Sequence, residues 1–263
     1  MDECNNGPGR EKNKTKGRLS IIGTGPGSAE QLTFAAHKAI LAADVIIGYK
    51  TYLDLIPELL AGKEVLSSAM MQEIDRCKKA LELAESGKIV ALVCGGDPGI
   101  YAMAGLVFEL ASQNDTSAKL EVLPGLAALN SCAARLGAPL MHDFAAISLS
   151  DLLTPWPLIE KRLSAAAEAD FVIVLYNPKS KKRTQHIIRA QELIMAHRDP
   201  ATPAGVVTAA TRANEKIAVT TLGKLHEAEA NMQSTIIIGN SKTFTWQDFM
   251  ITPRGYTDKY KLS

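Results

Sequence analysis

The feature that most constrains this chain is an alternation. Short apolar, β-branched runs recur at residues 18–22 (RLSII), 44–48 (DVIIG), 64–66, 89–94 (IVALVC) and 119–123 (KLEVL), with helix-period segments between most of them. Strands that alternate with helices pair as parallel neighbours through crossovers, so this half predicts an α/β sheet with helices on its faces. A second series follows at 145–149 (AAISL), 171–176 (FVIVLY), 204–208 (AGVVT), 217–221 (IAVTT) and 235–239 (TIIIG). Five strands plus five predict two α/β domains, residues 18–123 and 124–251, joined at Pro124-Gly125. A polar arm, 1–17, precedes them, and a tail, 252–263, follows with two tyrosines able to dock, Tyr256 and Tyr260. No fixed-period repeat relates the two halves. The crevice outside the strand ends of two such sheets is where a ligand is expected.

The helical segments obey the same logic. Over 72–86, Ile74, Cys77, Leu81 and Ala84 fall on one face, the other face is charged, and Gly87 supplies the stop. After Pro124-Gly125 a helix rich in small residues is expected to end at Gly137.

Composition excludes several classes. With 46% hydrophobic and 22% charged residues the chain reads as soluble and globular. A net charge of +1, from 29 basic and 28 acidic residues, offers no general field for nucleic acid or a membrane surface, so an anionic ligand must be met by a local patch. The longest low-polarity run, 126–141, contains Asn130 and Arg135 and is too short to cross a bilayer, and the polar opening carries no secretion signal. Four cysteines without a CxxC pair, and without zinc-like spacing to the five histidines, read as reduced thiols of a cytoplasmic protein with no metal site.

The stretch LSIIGTGPGSAEQLT, 19–33, poses a test. A dinucleotide fingerprint needs three glycines after a strand and an acid closing the next strand. Gly23 and Gly25 are present, but Ser28 takes the third place, Pro26 removes an N–H from the loop, and Asp44 opens the second strand where Tyr49 should end it. The fingerprint fails. The second glycine-rich loop, ALVCGGDPGIYAMAGLVFEL at 91–110, says more: Gly95 and Gly96 let a ligand approach the backbone, and Asp97 with Pro98 reads as an N-cap and first residue of a helix.

Together, GTGPG at 23–27, GGDPGIYAMAG at 95–105 and PGLAALNSCAARLGAPL at 124–140 resemble the tetrapyrrole methylase family, over nearly all of residues 18–250. VIIGYKTYLDLI at 45–56 and LYNPKSKKR at 175–183 are similar to the branch that methylates precorrin-3B at C17 during cobalamin synthesis, with contraction of the macrocycle. The resemblance implies a homodimer of two-domain subunits, S-adenosylmethionine folded into the interdomain cleft, and a tetrapyrrole substrate. It places Pro26 near the cofactor and Thr24 or Ser28 near the tetrapyrrole. Gly95, Gly96, Asp97 and Ile100 would hold the methionine and ribose portions, with Tyr101 beside them, and Ala127 and Ala128 stand where relatives often have a threonine. Tyr176 or Asn177 and Ala209 or Ala210 would enclose the adenine.

Methyl transfer from a sulfonium asks for in-line alignment in a dry pocket more than for a strong acid, which suits backbone-lined loops. No catalytic residue is assigned; among the histidines His142 is the first candidate for proton handling, with His37, His186, His197 and His226 weaker cases. The substrate's carboxylates require cations: Lys179, Lys181, Lys182 and Arg183, at the expected start of the helix running to His197, are the first candidates, with Lys50, Arg135 and Arg212 behind them. A sister methylase acting at another ring position shares all the cofactor motifs; a nicotinamide oxidoreductase or a non-catalytic module does not.

Overall fold

The computed structural model describes residues 17–69 and 71–260. Most of the expected arm and Cys4 lie outside the described residues. The first sheet contains β1 (Arg18–Gly23), β2 (Val45–Tyr49), β3 (Glu64–Ser68), β4 (Ile89–Cys94) and β5 (Lys119–Leu123), all parallel, in the order β3-β2-β4-β1-β5. Helices α1 (Phe34–Ala42), α2 (Lys50–Leu53), α3 (Pro57–Leu60), α4 (Glu73–Glu85) and α5 (Ala104–Gln113) complete this half. Both faces of the sheet are covered, which is why β4 reads as an unbroken apolar run. Leu19 and Ile21 face a core with α4 and α5, while Ile22 faces one with α1.

The second half follows with α6 (Ala128–Leu136), β6 (Gly137–Ala138), β7 (Phe144–Ser148), α7 (Trp156–Glu168), β8 (Val172–Tyr176), α8 (His186–Met195), β9 (Pro203–Thr208), β10 (Lys216–Thr221) and β11 (Ser234–Ile238). Its sheet runs β10-β9-β11-β8-β7. Only β7 and β8 are parallel; the other pairings are antiparallel. The ends of β7, β8 and β9 and the beginnings of β10 and β11 therefore share one edge. A small ribbon, β12 (Phe244–Trp246) and β13 (Phe249–Ile251), adds to β6, and a short α9 (Tyr256–Lys259) brings Tyr256 and Tyr260 into contact with each other, both exposed.

Three local expectations fail for physical reasons. On α4 the buried face is Arg76, Cys77, Ala80, Leu81 and Ala84, whereas Ile74 is 54% exposed. The arginine takes the inward position because the end of β3 offers it Ser68 Oγ and the Ala69 carbonyl. Asp97-Pro98 does not start a helix: α5 begins at Ala104, after a stretch in which Tyr101 has a left-handed φ of 52°. The basic cluster 179–183 is likewise not helical; it lies in the loop before α8, which opens at His186.

Candidate active site

Three loops meet at the ends of β1, β4 and β5. Gly25 and Gly96 form a two-way backbone bridge, with N···O distances of 3.1 and 2.7 Å, so the GTGPG and GGDP turns are paired like strands. A side chain at Gly23 would lie 2.5 Å from both the Gly125 nitrogen and the Gly96 oxygen. Glycine is needed there for backbone packing between three turns. Asp97 ties the same floor together: one carboxylate oxygen accepts from Gly99 N–H at 2.8 Å and the other from Gly125 N–H at 3.2 Å.

Above this floor a cleft of about 360 Å³ opens towards the second sheet. All the positions expected to serve the cofactor line it: Pro26, Gly95, Gly96 and Asp97, Ile100 and Tyr101, Ala127 and Ala128, Tyr176 and Asn177, and Ala209 and Ala210. Ile100 crosses to pack on the core under α6. Tyr101 and Tyr176 lie with ring centroids 5.0 Å apart; the first donates its hydroxyl to Ala146 O, and the second accepts from Leu129 N–H. Burial pushes the Tyr176 phenol up to about 12 and raises Tyr101 in the same direction, so both rings are neutral at ordinary pH. Left-handed backbone at Tyr101, Asn177, Ala209 and Thr211 concentrates strain around the cleft, the usual setting for a functional site.

One cation crosses between the halves. Arg212, after β9, donates from Nε to Pro26 O at 2.7 Å, and burial holds its guanidinium below the ordinary value. On the N-terminal side the wall contains Tyr49, Tyr52, Glu73, Arg76 and Met103. The ring of Tyr52 packs against Gly95, where a Cβ would come within 2.4 Å of it. The first glycine of GGDP thus makes room for a tyrosine of this chain, and Gly96, whose Cβ would meet nothing within 3.4 Å, is the one open to a ligand.

The expected substrate residues fare differently. Thr24 is 3% exposed and spends its hydroxyl on Cys94 O, so it is unavailable to a tetrapyrrole. Ser28 and Lys50 do not line the cleft, and Lys50 pairs with Asp54 in the open. Lys181 and Lys182 are exposed and outside it; Lys179 borders a separate cavity with Lys216 and Glu229. Arg183 braces its own loop through Asn177 O and Ser150 Oγ. His142 bonds to the Asp143 amide away from the cleft, and Arg135 pairs with Glu215. Sequence reasoning missed Tyr52, Glu73 and Arg76. A charged residue four before Ala80, on the apolar face of an amphipathic helix, was the legible sign for Arg76.

A strained, glycine-floored cleft between a parallel and a mixed sheet defines the chain as a two-domain α/β protein that positions a small molecule between its halves. The family model for tetrapyrrole (corrin/porphyrin) methylases matches residues 18–226, and the chain belongs to that family. It is 50% identical to a probable cobalt-factor III C(17)-methyltransferase of Salmonella typhimurium, over 91% of this chain and 99% of that protein. It is also 50% identical to the cobalt-factor III methyltransferase of Priestia megaterium, over 94% of this chain but only 47% of that longer protein, so it spans about half of that relative. Among solved structures it resembles the methyltransferase CobJ, with a TM-score of 0.84 and 34% identity, covering 90% of this chain and all of the other.

Proposed function

We propose that this chain is a cytoplasmic, homodimeric methyltransferase of corrin-ring synthesis, transferring a methyl group from S-adenosylmethionine to C17 of cobalt-factor III. The observation that carries the reading is the gathering of the twelve expected cofactor positions around one cleft, in a chain half identical to proteins named for that reaction. The cleft fits the cofactor. Its volume lies in the range of small-molecule sites, Gly96 leaves the space beside its Cα clear of close protein atoms, and the two neutral tyrosine rings offer π faces suited to a sulfonium.

When bound, S-adenosylmethionine supplies an electrophilic methyl group. What the protein contributes is placement. Gly96 and the loop after it would hold the amino-acid and ribose end, and Tyr176, Asn177, Ala209 and Ala210 would flank the base. Ile100, Met103, Ala127 and Ala128 supply apolar walls that exclude water from the reacting atoms. Asp97 fixes the loop through its two amide contacts, and Arg212 holds the Pro26 turn against the second domain. Alignment of this kind is worth about 7–11 kcal/mol of barrier in favourable intramolecular cases, with C17 of the substrate as the nucleophile and no nucleophilic side chain required of the protein.

The test is calorimetric titration with S-adenosylhomocysteine, then anaerobic incubation with S-adenosylmethionine and cobalt-factor III followed by mass analysis. Binding and a gain of one methyl group support the reading. Binding with no turnover of cobalt-factor III, but turnover of a different corrin precursor, would move the chain to a sister position. Sedimentation of the purified protein tests the dimer.

A further inference from the structure

The N-terminal side of the cleft carries a charge without a partner. Arg76 is only 5% exposed, yet it lines the cleft beside Tyr49, Tyr52 and Met103. Its Nε donates to Ser68 Oγ at 2.6 Å, one terminal nitrogen to Ala69 O at 2.9 Å, and the other to Met103 Sδ at 3.2 Å. A guanidinium has five N–H donors, so two remain, and the sulfur is a weak acceptor that neutralises nothing. None of the ion pairs among the described residues includes Arg76. Glu73, one turn earlier on α4 and also in the cleft wall, accepts instead from Met71 N–H. A buried cation with spare donors is costly unless an anion completes it.

The place of this charge says which anion. Ser68 closes β3, the outer strand of the sheet, and Ala69 follows it, three positions along the sheet from β1, which leads into the Pro26 turn. The positions proposed to flank the adenine, Tyr176, Asn177, Ala209 and Ala210, follow β8 and β9 on the second sheet, the other wall of the cleft. Resting on the methyltransferase reading, we infer that Arg76 receives one carboxylate from the rim of the tetrapyrrole substrate, through its two remaining donors. It is a substrate-binding residue that sets the macrocycle's position, and the basic loop 179–183 is not needed for that contact.

The experiment titrates wild type, Arg76→Gln and Arg76→Lys with cobalt-factor III by absorbance and with S-adenosylhomocysteine by calorimetry. In Arg76→Gln the tetrapyrrole affinity should fall about 10- to 100-fold, the worth of a charge-assisted hydrogen bond, with the cofactor affinity unchanged and part of the loss recovered by lysine. An unchanged tetrapyrrole affinity overturns the inference. An equal or larger loss for S-adenosylhomocysteine overturns it too, by assigning the carboxylate to the cofactor. Because Arg76 also braces the end of β3, its variants risk misfolding, and Glu73→Gln then decides. Removing a like charge beside the incoming carboxylate should tighten tetrapyrrole binding about two- to fivefold; no change, or a loss, overturns the inference. Failure of the wild type to bind cobalt-factor III would instead bring down the substrate reading itself, which separates the two.

Discussion

At the scale of single residues, the structure reassigns tasks more than it moves atoms. Gly95 reads in sequence as an opening for a ligand, but the opening is filled by Tyr52. Gly95→Ala should therefore cost about 1–3 kcal/mol through overpacking, as checked by urea denaturation, and should disturb tetrapyrrole binding more than cofactor binding. The three described cysteines are unpaired and buried, and burial pushes Cys77 and Cys132 up to about 11 and Cys94 to about 12. Thiol reagents at pH 8 should leave all three unmodified until the protein is denatured. The sign of the accompanying pH effect follows. In the unfolded chain these thiols ionise near 9, so between there and about 11–12 the folded state holds more protons. Stability is complete below pH 9 and should decline with rising pH through that window, measurable as a falling denaturation midpoint. Asp97 was legible as important, but not for what: no local pattern reveals that its second oxygen reaches Gly125, 28 residues away.

At the scale of elements, strands were easier to read than the turns between them. Runs such as IVALVC and FVIVLY are buried on both faces, so their composition alone separates them from helices. The ribbon of β12 and β13 escaped because its strands are three residues each and mostly exposed. The α4 face was drawn one turn too far towards its start, since periodicity records spacing and cannot tell that Arg76 finds acceptors where Ile74 finds solvent. A comparable arginine holds the second sheet. Arg198 donates to Phe171 O at 2.6 Å and to Gly239 O, and lies 3.3 Å from Asp170, joining the end of α7, the start of β8 and the residue after β11. Arg198→Ala strands those carbonyls and should lower unfolding free energy by about 3 kcal/mol in denaturant titration, with little effect on cofactor affinity.

At the scale of the molecule, the division into two sheets was readable from strand count, while the way the halves grip each other was not. The Arg212 to Pro26 bond spans 186 residues of chain, and nothing near either residue announces it. Arg212→Ala should leave the thermal transition nearly unmoved but weaken S-adenosylhomocysteine binding about tenfold in calorimetry, because the floor turn loses its support from the second domain. Arg212→Lys is not expected to restore it, since a lysine has no donor at the Nε position. The paired turns at Gly25 and Gly96 carry a different consequence. Their amides are locked in a bridge continuous with two central strands, although both belong to loops. In deuterium exchange these two amides should report the free energy of global opening, as core strand amides do, while the 209–211 turn, held by a backbone bond from Ala209 to Gln233 O and a bond from Thr211 N–H to the Glu215 carboxylate, exchanges through smaller local fluctuations. The base of the cleft would then be a fixed datum for catalysis, and the breathing that admits and releases ligands would belong to the opposite wall.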